Sequence, residues 1–156
     1  MSPENTDAPA SSSATVLVVD DNKDMVEILT RLLSRQGLHA PHAYSGKECL
    51  EIVRNHAVDV IVLDVMMPGM NGLEVCEALK AIAAPPPVIL LTAKDDMATR
   101  EAGMSLGVSE FVVKPVNNRD LLARIQTQLS ARQWERDIDR TSATIDPNEK
   151  APRTKG

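Results

Sequence analysis

Five short, nearly continuous apolar runs alternate along this chain with segments whose apolar residues recur at helical spacing, and this alternation constrains the fold more than any other feature. Val16-Leu17-Val18-Val19, Val58 to Leu63, Val88-Ile89-Leu90-Leu91 and Phe111-Val112-Val113 read as strands, with a weaker fifth from Leu38 to Tyr44. Between them, Met25, Ile28, Leu29, Leu32 and Leu33 mark a first helix that Gly37 should stop. Ser45 followed by Glu48 is a capping-box signature opening a second helix through Leu50, Ile52 and Val53. A third helix carries Leu73, Cys76 and Leu79, a weaker fourth runs from about Asp96 to Ser105, and a fifth carries Leu121, Leu122, Ile125 and Leu129.

Strands that are apolar throughout are buried on both faces, which predicts a parallel sheet between two helical layers. The expectation is a three-layer (βα)5 α/β domain over residues 15–131. Pro41 has no N–H to give a ladder, so the second strand should lie at an edge. Residues 1–14, rich in Ser, Pro and Ala, read as a disordered tail. Residues 132–156 read as a helix extension and a polar tail, disordered after Asp137, with no output domain.

Composition removes several function classes. Net charge is −5 with no dense Lys/Arg block, and aromatics make up only 2% of the chain, so direct nucleic-acid binding is not expected. No apolar run nears the roughly 18 residues of a membrane span, and a cytoplasmic protein is expected. Cys49 and Cys76, the only cysteines, read as reduced, partly buried thiols.

The chemistry lies at the carboxyl ends of the strands. There stand Asp20-Asp21, Asp64, Thr92 and Lys114-Pro115. Open α/β sheets bind ligands outside those ends, where the strand order reverses. In a flavodoxin-like doubly wound sheet of order 2-1-3-4-5, the reversal falls between strands one and three, so the aspartates meet there. Carboxylates in one crevice repel unless a cation neutralises them. Mg²⁺ (or Mn²⁺) suits one or two carboxylates, waters and a phosphate oxygen. A carboxylate can also take a phosphoryl group as an aspartyl phosphate, chemistry that needs mainly positioning and charge neutralisation. Lys114 would supply the positive charge and the Thr92 hydroxyl a donor. Singly, each residue has an ordinary reading: Asp21 or Asn22 as a helix cap, Thr92 as a turn residue, Lys114 as a surface charge.

Together, in this order, they resemble the receiver domain of bacterial two-component response regulators, in its stand-alone, chemotaxis-regulator-like form. The resemblance rests on Asp20-Asp21, Asp64 within Asp64-Val65-Met66-Met67-Pro68-Gly69-Met70-Asn71-Gly72, Thr92-Ala93, Lys114-Pro115, and Phe111 three residues before Lys114. It implies that Asp64 is the phosphoacceptor, and that Asp20, Asp21, Asp64 and the backbone carbonyl of Met66 bind Mg²⁺. It also implies that Lys114 and Thr92 contact the phosphoryl group, Ala93 leaves the site open, and the Lys114–Pro115 bond is cis. Thr92 and Phe111 would form the switch, while Met66 and Lys94 would tune the phosphoryl lifetime. Such a protein is not an enzyme, although it assists its own phosphorylation and dephosphorylation.

The implied partners are a sensor histidine kinase or a histidine phosphotransfer protein. Kinase specificity would sit on the first helix and the loop after strand five. A downstream protein would read the face formed by the fourth helix, fifth strand and fifth helix, on a monomer or a phosphorylation-linked dimer. Met97, Met104 and Leu106 are candidates either for that surface or for packing on the sheet, and Trp134 for docking or for covering the helix end. Two alternatives stand beside this reading: a phosphorylation-independent interaction module, which predicts an eroded acidic pocket, and a fragment of a multidomain regulator. A flavin enzyme on this fold is set aside, because Asp20-Asp21 would repel a metal-free phosphate.

Overall fold

The computed structural model describes residues 13–93 and 95–144, with side chains to residue 133. The elements are β1 (Val16–Val19), α1 (Lys23–Arg35), β2 (His42–Ala43), α2 (Gly46–Asn55), β3 (Val60–Asp64), α3 (Gly72–Leu79), β4 (Val88–Thr92), α4 (Met97–Ser105), β5 (Glu110–Val113) and α5 (Asn118–Thr144). They build a parallel sheet in the order β2-β1-β3-β4-β5, the flavodoxin-like arrangement expected from the sequence.

Strand periodicity divides the core in two. Leu17, Val19, Ile61, Leu63 and Leu90 point to one face, where Cys49 and Leu50 of α2 and Val75, Cys76 and Leu79 of α3 cover them. Their neighbours Val16, Val18, Val60, Val62, Ile89 and Leu91 point to the other, under Val26, Leu29 and Leu33 of α1 and Leu121 and Ile125 of α5. Each central strand therefore buries both sets of side chains, which is why it reads as an unbroken apolar run. Truncating Leu63 or Leu121, both fully buried, to Ala is expected to cost about 2–5 kcal/mol, read as a lower denaturant midpoint at unchanged slope. Burial pushes the Cys49 thiol up to about 12 and the Cys76 thiol up to about 11, so both remain neutral thiols at physiological pH.

Three boundaries differ from the sequence reading. The second strand shrinks to His42–Ala43 plus a bridge between Thr15 and His39. Pro41 interrupts it, giving only its carbonyl to Val18 N–H at 3.0 Å. Strand β3 starts at Val60, because the buried Asp59 carboxylate turns aside to accept Thr15 N–H at 2.9 Å. Helix α5 continues to Thr144, past the point where disorder was expected after Asp137. No Gly or Pro interrupts residues 118–144, so helix propensity carries it on after its buried stripe ends.

Candidate phosphoryl-acceptor site

The β1 ladder delivers Asp20 to the carboxyl edge of the sheet, where its backbone N–H bonds Ala43 O at 3.2 Å. Beyond it the chain turns into α1. Asn22 is the N-cap of that helix, accepting Met25 N–H at 3.1 Å. Of the two capping candidates it is Asn22 that caps, which leaves Asp21 exposed and free to bind. Asp64 ends β3, one strand over. Asp20 and Asp64 are each only 2% exposed, and one carboxylate oxygen from each of Asp20, Asp21 and Asp64 lies within 4.8 Å of the others.

The other predicted residues arrive from β4 and β5. Thr92 closes β4 and pairs with Val113, while Lys114 N–H bonds Thr92 O at 2.8 Å. The Lys114–Pro115 bond is cis, as expected. Lys114 Nζ stands 2.6 Å from Asp64 Oδ1, a close ion pair. Among the described residues, Asp20 Oδ2 and Thr92 Oγ1 are buried without a hydrogen-bond partner.

Burial holds the Asp20 carboxyl above its ordinary 3.8, and the charges of Asp64 and Asp21 add to that, against the Asn22 N–H and Lys114. Asp64 is raised too, again chiefly by burial, although Lys114 and the Met66 N–H work to lower it. Two buried carboxylates whose environment disfavours their charge, one of them with an unpartnered oxygen, and a third that is exposed are the donor set a hard divalent cation takes. Mg²⁺ therefore fits these residues. Added at about a hundred times its dissociation constant, it is expected to stabilise the fold by about 2.7 kcal/mol through mass action. Thermal melts with and without chelator check this, and Asp20→Asn should remove most of the gain.

Met66, two residues after Asp64, is 70% exposed. Lys94 lies outside the described residues. Phe111 is half-buried, with its ring laid over α4: a Cβ built on Gly103 would stand 2.8 Å from Phe111 Cε1 and 3.4 Å from Leu90 Cδ2. Met97 and Met104 are 60% and 67% exposed, whereas the half-buried Leu106 packs against the core, so the sequence reading of the three divides.

Two residues that sequence reasoning did not single out shape the site. Gly72, the first residue of α3, lies against the backbone of Asp64 and Val65, and Gly103 makes room for Phe111. The close approach behind Gly72 shows only in the fold.

Comparison with known proteins agrees with this geometry. Residues 16–126 match the family described as "Response regulator receiver domain". The chain is 39% identical over 125 residues to Response regulator MprA of Mycobacterium ulcerans (strain Agy99), covering 80% of this chain and 54% of that protein. It is 40% identical over 114 residues to Response regulator MprA of Mycobacterium sp. (strain KMS), covering 73% and 50%. The chain thus spans about half the length of the curated relatives it matches. Chemotaxis protein CheY4 of Vibrio cholerae superimposes with a TM-score of 0.70 at 30% identity, covering 76% of this chain and all of that one, 100%. A CheY-like receiver domain protein from Methanospirillum hungatei JF-1 gives 0.75 at 25% identity, covering 80% and 99%. Sequence match, strand order and the acidic pocket at the switch point converge: this chain belongs to the response regulator receiver-domain family.

Proposed function

We propose that the protein is a phosphoacceptor switch that takes a phosphoryl group onto Asp64 from a phosphohistidine of a sensor histidine kinase or a histidine phosphotransfer protein. The observation that carries this is Asp64 itself, buried at the switch point with Lys114 Nζ at 2.6 Å and an orphaned Thr92 hydroxyl one strand away. Asp20, Asp21, Asp64 and the Met66 backbone carbonyl would hold Mg²⁺ (or Mn²⁺). When bound, the cation neutralises the charge of the carboxylates and of the incoming phosphoryl oxygens.

A carboxylate oxygen of Asp64 forms the bond to phosphorus as the bond to the donor nitrogen breaks. Lys114 balances negative charge on the phosphoryl oxygens, and the Thr92 hydroxyl donates to one of them, which gives its orphaned oxygen a partner. The protein assists this step and the later hydrolysis without being an enzyme toward other substrates. Met66 two residues after Asp64 and Lys94 two residues after Thr92 are the positions from which side chains would tune water access.

Output follows from the same residues. As Thr92 turns toward the phosphoryl group, Phe111 moves into the space it leaves, and the α4-β5-α5 face changes shape. Exposed Met97 and Met104 give that face an adaptable apolar surface for a downstream protein. We place this signalling in the cytoplasm; among the described residues no helix is long and apolar enough to cross a membrane. A phosphorylation-independent module predicts an eroded pocket, and here every acidic residue and Lys114 stand in place.

The test is a time course with acetyl phosphate and Mg²⁺, read by phosphate-affinity gel shift. Lys114→Ala is expected to slow phosphorylation by about 10²–10³-fold, the scale for removing one charge-stabilising donor. Phosphorylation of Lys114→Ala at the wild-type rate would contradict the assignment.

A further inference from the structure

Lys23 is a cation placed three residues after Asp20 and two after Asp21, beside a pocket that collects carboxylates. An ammonium on so short a tether would be expected to fall onto those acids and compete with any cation they bind. It does not. Among the described residues Lys23 makes no ion pair, and its Nζ instead stands 5.2 Å from the centroid of the Tyr44 ring, within cation–π range.

The ring is where the fold fixes it. In the sheet register Val19 pairs with Ala43, so the next residues along, Asp20 and Tyr44, leave the sheet side by side at its carboxyl edge. Tyr44 N–H is held by the Glu48 carboxylate at 2.8 Å, and Glu48 N–H by the Ser45 hydroxyl at 3.2 Å, so the start of α2 clamps the backbone behind the ring. The His42 ring packs against it at 4.8 Å and 50°. Tyr44 is thus a supported aromatic surface at the mouth of the pocket, and Lys23 is the cation on it.

We infer that Tyr44 is a positioning residue that holds the Lys23 ammonium at the rim of the acidic pocket and out of the cation site. Resting on the reading of Asp20, Asp21 and Asp64 as a Mg²⁺ site, the inference assigns a role to an aromatic residue that binds neither metal nor phosphoryl group. The arrangement keeps a positive charge near the approach of an anionic donor while leaving the carboxylates free for the divalent ion. Lys114, by contrast, engages Asp64 directly.

Isothermal titration of the full chain with MgCl₂ tests this on wild type, Tyr44→Leu, Tyr44→Phe, Lys23→Gln and the Tyr44→Leu/Lys23→Gln double variant. Tyr44→Leu should weaken Mg²⁺ binding about two- to fivefold, the range an exposed cation–π contact supports. Tyr44→Phe, which keeps the ring, should bind as wild type does. Lys23→Gln should bind at least as tightly as wild type, and the double variant should match Lys23→Gln, because the cation that Tyr44 restrains is gone. Wild-type affinity in Tyr44→Leu would overturn the inference. So would a double variant as weak as Tyr44→Leu alone, since that makes Tyr44 a support of the loop rather than of Lys23. Failure of the wild type to bind Mg²⁺ would overturn the reading of the pocket as well, which separates the two failures.

Discussion

Asp64→Asn is expected to lose phosphoryl uptake completely and yet to melt at a higher temperature than wild type in metal-free buffer at pH 7. The loss follows because an amide oxygen is no nucleophile for phosphorus under these conditions. The gain follows from the electrostatics of the pocket. Burial raises the Asp64 carboxyl above 3.8 in spite of its ion pair with Lys114, so the folded protein holds this charge less readily than the unfolded chain does. A neutral isostere removes that penalty, and Lys114, whose side chain is 35% exposed, stays hydrated. The sign with pH is fixed by linkage. For a carboxyl whose folded value is raised, the penalty is present at neutral pH and disappears as pH falls through the folded value toward 3.8. Wild type should therefore gain on the variant as the buffer is acidified, and the gap should close near pH ~4. The gain is read at pH 7 as a higher melting midpoint for Asp64→Asn than for wild type. Melting curves of both proteins across that pH range, with chelator present, check it. Added Mg²⁺ should reverse the order, since only wild type keeps the full donor set.

Gly72→Ala should be among the most damaging single-methyl changes in the chain. A Cβ there would lie 2.7 Å from the Asp64 carbonyl oxygen and 2.8 Å from Val65 Cα, and neither can swing away as a side chain would. The helix cannot easily retreat either. Gly72 N–H is bonded to Val65 O at 2.9 Å, and Asn71 and Glu74 form a reciprocal capping box at 2.9 Å in each direction. Overpacking of this kind costs about 1–3 kcal/mol, a large part of the margin of a small domain. Because the obstructed atoms belong to Asp64, the proposed phosphoacceptor, and to the residue after it, phosphorylation should also slow, by about 10²-fold if Asp64 shifts by 1 Å. Gly69 is the control: its φ is +76°, but nothing stands within 4 Å of a built Cβ. Gly69→Ala should carry only the cost of its left-handed backbone, about 1 kcal/mol, with little effect on phosphorylation rate. Chemical denaturation and acetyl phosphate kinetics on the two variants separate these outcomes.

What the sequence made legible was whatever depends on local pattern. The apolar runs and helical spacings gave a parallel sheet and put the pocket residues at its strand ends, because each of them follows its strand directly in the chain; the strand order comes from the flavodoxin-like arrangement, with Pro41 at the edge in agreement. Asp20, Asp64, Thr92 and Lys114 needed no knowledge of packing to be placed at the carboxyl edge. Other features depend on contacts across the fold. Ile28 sits in the periodic stripe of α1 but is 55% exposed, while Val26, Leu29 and Leu33 are the residues of that helix that reach the core. Leu106 reads like Met97 and Met104 until the end of α4 brings it, half-buried, against the core. The end of α5 was misjudged because hydrophilic composition was read as loss of structure, whereas a run without Gly or Pro continues a helix that packing has already nucleated. Gly72, Gly103 and the pairing of Lys23 with Tyr44 are visible only once the register brings segments far apart in the chain together.

The most direct test of the central claim is intact-mass spectrometry of the wild-type chain after incubation with acetyl phosphate, with Mg²⁺ and with chelator, followed by peptide mapping. The account predicts one added phosphoryl group, formed only with the divalent ion and located on the peptide that contains Asp64. An adduct on another residue, or no adduct together with no stable beryllium fluoride complex in the presence of Mg²⁺, would contradict it.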